Sequence, residues 1–242
     1  MIQPPISAYV LAGGRSSRMG SDKALLQLAG KPLIQHAVAK LHRLTANVRI
    51  LSSNPALAAY APLLPDIHPG AGPIGGIEAA LLHSTTDWNL ILPVDVPFIP
   101  TRFLVRWVQS IQSTIRRQGR RIHIAMFSVF GVPQPTLLLA HRNAARYLTD
   151  AVRRGEYKLL PALEVAAREL APADAQSDER VPYMLPVDEY MQFDDWTIPP
   201  AEVKPWQILT PAQRAAQPLW FSNLNRPGDF AEAAAHADAL DT

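Results

Sequence analysis

A hydrophobic run, Ile6 to Leu11, leads directly into Leu11-Ala12-Gly13-Gly14-Arg15-Ser16-Ser17-Arg18-Met19-Gly20-Ser21-Asp22-Lys23. Such a run reads as a buried first strand, and the loop that follows must leave it at its carboxyl end. Glycines in that position let the backbone approach a ligand and aim its N–H groups at it. Lys23 adds a mobile point charge, while Arg15 and Arg18 add planar donor forks that suit phosphate. The loop is therefore read as an anion site with the parts a triphosphate needs. The competing reading, a surface turn, has no use for these glycines, two arginines and a lysine together.

Two phosphate-binding patterns are excluded. A P-loop requires Ser or Thr directly after Gly-Lys, whereas Gly30-Lys31 is followed by Pro32. The dinucleotide fingerprint requires separated glycines and a distant acidic residue, but Gly13 and Gly14 are adjacent and no acid stands at that spacing.

Strand-like runs at 6–11, 47–51, 88–94 and 122–129 alternate with helical patterns at 32–44, 75–84 and 101–118. This alternation implies βαβ units and an α/β fold with a mainly parallel sheet. Residues 122–129 and 136–140 flank Phe130 to Pro135 and read as neighbouring strands with an irregular connection; 144–152, 159–167 and 228–238 read as helices. The 242 residues are taken as a single domain carrying a proline-rich, acidic insertion at about 171–218. Tyr183, Tyr190, Phe193, Trp196 and Trp206 within it argue that it packs on the domain.

The balance of 23 Lys plus Arg against 21 Asp plus Glu gives no argument for nucleic acid or a membrane surface as partner. Arg102, Arg106, Arg116, Arg117, Arg120 and Arg121 form a local basic stretch, read as a solvated helix face because aromatic interleaving is sparse. The absence of cysteine removes disulfides, thiolate metal sites and cysteine nucleophiles. No signal-peptide pattern or membrane-length apolar run is present, so the expectation is a soluble cytoplasmic protein.

Asp95 ends the apolar run 88–94, where open α/β sheets place ligands. A carboxylate there suits Mg²⁺, which takes one or two carboxylates plus phosphate oxygens. The alternative is a cap for the following helix, for which Thr101 is better placed. Asp66 precedes the glycine-rich stretch His68 to Gly76 and could meet a guanine edge, ribose hydroxyls or a metal-bound water; the alternative is an Asx turn before Pro69. Ser52-Ser53-Asn54 could hydrogen-bond a nucleotide from the neighbouring strand end. The seven histidines show neither metal-ligand spacing nor a Ser-His-Asp order.

The run Leu11 to Leu26 resembles the signature of the molybdenum cofactor guanylyltransferases, within the wider nucleotidyltransferase superfamily. Gly30-Lys31-Pro32-Leu33, Asp66, Gly72 to Ile77 and Pro93 to Phe98 continue it in order, and Phe221 to Asp229 is similar to the family's asparagine-rich closing segment. The resemblance covers most of 6–165 and 219–238. It implies a Rossmann-like three-layer α/β/α fold and transfer of GMP from GTP to the terminal phosphate of molybdopterin or its molybdenum complex, releasing pyrophosphate. It implies nucleotide contacts at Leu11, Ala12, Gly13, Gly14, Lys23, Ser52, Asp66 and Asp95. Catalysis is expected from Lys23, Asp95 and Arg18, with Mg²⁺ on Asp95. Asn223 and Asn225 are implicated in holding the pterin acceptor; their alternative role is turn structure.

Three departures from the family pattern stand out: Ser52 where Asn is frequent, Val94 where Cys is frequent, and the long 171–218 segment. The alternatives are a cytidylyltransferase on the same pterin, a sugar-1-phosphate nucleotidylyltransferase, and a non-catalytic docking module that hands cofactor to a molybdoenzyme chaperone. Gly13 argues for the guanylyl branch, and the chaperone remains an expected partner in either case.

Overall fold

The computed structural model describes residues 5–13, 22–187 and 209–241. Its main sheet has seven strands in the order β5-β4-β1-β6-β8-β7-β9. These are β1 (Ile6–Leu11), β4 (Val48–Leu51), β5 (Leu63–Leu64), β6 (Trp88–Pro93), β7 (Ile124–Val129), β8 (Val132–His141) and β9 (Tyr183–Pro186). A separate antiparallel pair joins β2 (Gln27–Leu28) to β3 (Lys31–Pro32). In the main sheet β8 runs against β6 and β7; the other pairings are parallel.

Side chains alternate across the sheet as strand geometry requires. Ala8, Val10, Leu90 and Leu92 enter one core with α1 (Leu33–His42) and α3 (Thr101–Gln118). Tyr9, Leu11 and Ile91 enter the opposite core with α2 (Pro73–His83), α4 (Ala145–Arg153) and α5 (Leu159–Leu170). The result is the three-layer α/β/α arrangement. Two short helices close the described chain, α6 (Pro211–Ala215) and α7 (Pro227–Ala235).

The expected irregular connection after β7 is a tight turn. Val129 pairs with Val132, leaving only Phe130 and Gly131 between the strands, both at positive φ (48° and 75°). Two residues at positive φ match the right-handed twist of a hairpin. Pro133 and Pro135 lie inside β8; Pro133 is still paired with Ser128, whereas Pro135 falls between Pro133 and Leu138, where the ladder shifts register and regular pairing is interrupted.

Thr101 is not the cap of α3 but its first residue. The cap comes from the far end of the chain. Asp241 Oδ2 accepts the Thr101 N–H at 2.6 Å and its hydroxyl at 2.7 Å. The same oxygen pairs with Lys40 Nζ of α1 at 3.0 Å, and Gln213 of α6 donates to Oδ1 at 2.6 Å. All four residues are buried. Burial pushes the Asp241 carboxyl up, yet the Lys40 ammonium and the two Thr101 donors overcome it and hold the group below the usual carboxylate range.

The proline-rich segment is more than an insertion laid on the surface, because it contributes β9, which pairs with β7. It is anchored through part of the basic stretch expected to be solvated. Arg120 pairs with Asp178 and lies 5.5 Å over the Tyr183 ring, and Arg121 pairs with Asp174 at 3.0 Å. Glu179 accepts the Arg121 N–H, and Arg180 donates to three carbonyls of 172–175. Each exposed pair contributes little alone; together they fix the approach of one strand. Tyr190, Phe193, Trp196 and Trp206 lie outside the described residues.

Candidate nucleotide site

Parallel strands deliver the candidate residues to one edge. Leu11 pairs with Pro93 at the ends of β1 and β6, and the Val94 N–H donates to the Leu11 carbonyl at 3.1 Å. This register sets Asp95 beside Ala12 and Gly13. Leu11 points its side chain into the core, so what it offers a ligand is backbone. The Ala12 N–H reaches the Leu51 carbonyl at 3.3 Å. A Cβ at Gly13 would meet that same oxygen at 3.4 Å, an ordinary contact. Internal crowding therefore does not demand this glycine, whereas close approach of a ligand would. Gly14, Arg15 and Arg18 lie outside the described residues.

Lys23 opens a short 3-10 turn capped by Asp22, whose Oδ1 accepts the Ala24 N–H at 2.9 Å. Its ammonium donates to Asp95 Oδ2 at 2.7 Å and to Asn225 Oδ1 at 2.5 Å. The Leu224 N–H also donates to the Asp95 carbonyl at 3.0 Å. One residue from the amino-terminal half of the chain, Asp95, and one from the closing segment, Asn225, thus share the Lys23 cation. The Lys23 and Asp95 side chains are 18% and 21% exposed, open enough for a ligand to exchange with them.

Asp66 stands two residues past β5, beside the start of α2. Ideal Cβ atoms at Gly75 and Gly76 would lie 3.4 and 3.3 Å from its two carboxylate oxygens. At Gly75 they would also meet the Ala71 Cβ and the His68 carbonyl at 3.2 Å. These glycines are needed for the loop to lie so close to the helix. Neither Asp66 oxygen accepts a hydrogen bond from the described residues. Burial, then the nearby Glu78 carboxylate, raises the Asp66 pKa. Glu78 is fully buried and accepts a hydrogen bond from His68 Nδ1 at 2.9 Å, while its Oε1 has no hydrogen-bond partner among the described residues.

The loop after β4 plays a supporting part. Ser52 is buried, and its hydroxyl accepts the Asn54 N–H at 3.1 Å. Asn54 in turn donates to Asp22 Oδ2 at 2.5 Å. The chain Ser52, Asn54, Asp22 holds the turn from which Lys23 projects. Asn54 before Pro55 is a recognisable turn cap, but its link to Asp22 is tertiary and had no sequence signal. Glu78 and His68 were missed for the same reason. Asn223 and Asn225 line a cavity of about 410 Å³ with Phe98, Leu219, Asp229 and Glu232.

No group of three or more His, Asp or Glu among the described residues could hold a metal ion. An Mg²⁺ bound through Asp95 and phosphate oxygens fits this donor set, because Mg²⁺ retains waters and needs few protein ligands.

Residues 8–169 match the family described as the MobA-like NTP transferase domain. The chain belongs to that family. It is 36% identical over 176 residues to a molybdenum cofactor guanylyltransferase of Serratia proteamaculans, covering 69% of this chain and 83% of the relative. A molybdenum cofactor guanylyltransferase of Vibrio cholerae is 33% identical over 169 residues, covering 66% and 77%. In three dimensions the chain is similar to molybdopterin-guanine dinucleotide biosynthesis protein A from Archaeoglobus fulgidus. That structure gives a TM-score of 0.66 at 22% identity, over 97% of this chain and 100% of the other. This likeness establishes the nucleotidyltransferase fold. The family match ends before the closing segment that supplies Asn225. Among the described residues no helix is long and apolar enough to cross a membrane.

Proposed function

We propose that this MobA-like transferase moves GMP from GTP to the terminal phosphate of molybdopterin or its molybdenum complex. The observation that carries the reading is the Lys23 ammonium held between Asp95 and Asn225 at the carboxyl ends of β1 and β6. An acceptor phosphate oxygen attacks the α-phosphorus of GTP, the bond from that phosphorus to the bridging oxygen breaks, and pyrophosphate departs with the electron pair. Phosphate is a competent nucleophile at neutral pH, so positioning and charge neutralisation supply the catalysis.

Lys23 balances charge on the triphosphate, and the backbone of 12–13 approaches it closely. Asp95 is the residue that would hold Mg²⁺, and an ion bound there would withdraw charge from the phosphate under attack. Asn223 and Asn225 present amides toward the acceptor, and Arg18 is assigned to the triphosphate as a further cation. The two uncommitted oxygens of Asp66 suit the adjacent N1–H and N2–H donors of guanine, whereas cytosine presents an acceptor where guanine has a donor. The proposed setting is the cytoplasm.

Titration calorimetry with GTP, CTP, ATP and UTP, each with and without Mg²⁺, tests the nucleotide half of this reading. Selective Mg²⁺-dependent GTP binding, followed by acceptor-dependent pyrophosphate release, is the expected result. Preference for CTP would move the chain to a cytidylyl reaction, and binding of none would overturn the assignment.

A further inference from the structure

The closing segment reaches Lys23 through Asn225, and Asn225 is itself held. Asp229 Oδ2 accepts the Asn225 N–H at 2.6 Å and the Arg226 N–H at 2.7 Å. These two donors, the Asn225 N–H first, pull the Asp229 carboxyl below its usual range. Asp229 is the third residue of α7 and its carboxylate turns back onto the residue preceding the helix, the reciprocal arrangement of a capping box. An ordinary cap of this type needs only the Arg226 donor. Here the same oxygen also fixes Asn225, whose side chain is otherwise exposed and whose amide oxygen lies 2.5 Å from Lys23 Nζ.

We propose that Asp229 is a positioning residue: by clamping the Asn225 backbone it keeps the Asn225 amide on Lys23, so that the closing segment and the nucleotide edge share one ammonium. The inference rests on the reading that Lys23 and Asp95 form the nucleotide site. Asp229 makes no hydrogen bond to Lys23; beyond the long-range attraction of opposite charges, it meets that ammonium by way of Asn225. It acts through Asn225, and a purely structural cap would leave Lys23 undisturbed in a folded variant.

The test is the rate at which Lys23 of the ligand-free full chain reacts with a succinimidyl ester, read site by site by mass spectrometry. Loss of one hydrogen bond to Lys23 is expected to raise that rate about threefold to tenfold. Asn225→Ala and Asp229→Ala should show the same increase, and the double variant should show no further one, because both changes remove one interaction. Asp229→Glu, which retains a carboxylate suited to a capping box, should restore the parent rate. Asp229→Asn, which keeps one acceptor oxygen without charge, should fall between and carries the test if Asp229→Ala does not fold. A parent rate in folded Asp229→Ala or Asp229→Asn, or additive effects in the double variant, would overturn the proposal. Labelling needs no nucleotide, so failure of GTP to bind the parent would refute the functional reading while leaving this result interpretable.

Discussion

Two carboxylates stand at the carboxyl edge of the sheet, in different company. Asp95 is already paired: Lys23 neutralises it at 2.7 Å, and the closing segment reaches both partners through Leu224 and Asn225. Asp66 has no hydrogen-bond donor among the described residues, lies against two glycines, and has its pKa raised by burial and by Glu78. The lesson concerns division of labour. Under the proposed assignment, the Asp95 charge rests on a partner that can pair with phosphate instead, whereas Asp66 keeps its acceptors free for a base edge.

The paired side depends on the anchor of the closing segment, so the largest effect is expected there. Asp241→Ala strands the buried Lys40 ammonium and should cost about 3–5 kcal/mol in urea denaturation. A loss near that of an exposed ion pair, below about 1 kcal/mol, would mean the segment is held by its apolar contacts alone. Asp95→Asn should lower turnover about 10²–10³-fold with the melting temperature little changed. Parent-like turnover would remove Asp95 from the chemistry and leave the comparison without its paired half.

On the open side, Asp66→Asn should weaken Mg²⁺-GTP binding about tenfold by calorimetry, with less effect on CTP. The same variant sharpens the contrast through pH. Because the folded-state pKa of Asp66 is raised, its contribution to stability is fully present below the ordinary carboxylate value and is lost as pH rises through the raised one. Asp66→Asn should therefore melt above the parent at neutral pH, with the gap closing in acid. Asp241, with its pKa lowered, works in the opposite sense: its contribution is present above the ordinary value and lost as pH falls. The smallest effect is expected for Asn54→Ala, about 1 kcal/mol of stability from a lost cap, with a modest loss of GTP affinity because Asp22 is released.

Periodicity made the central layers legible. Continuous apolar runs marked β1 and β6, their alternation with helical patterns marked the layers, and α3 begins and ends where its pattern predicts, at Thr101 and Gln118. The fold class followed from that alternation. Asp95 was readable because it lies where a strand run ends, and Lys23 because it belongs to the glycine- and arginine-bearing loop that follows one. Their bond joins residues 72 positions apart, and Lys23 meets Asn225 across 202, distances over which residue order carries no geometric signal. β9 was hidden by a composition that resembles disorder: four residues, Tyr-Met-Leu-Pro, in an acidic and proline-rich stretch. What makes it a strand is the open edge of β7, which no local pattern in 171–218 could disclose.

That late strand has a consequence for behaviour at high concentration. An exposed β7 would offer a six-residue ladder of unpaired amides and carbonyls to any passing chain. β9 covers it and replaces it with a shorter rim, preceded by Pro182 and ended by Pro186, neither of which has an N–H to donate. The opposite rim, β5, is only two residues long. Both borders of the sheet are thus poor templates for a further strand, so the sheet resists growth into edge-to-edge aggregates.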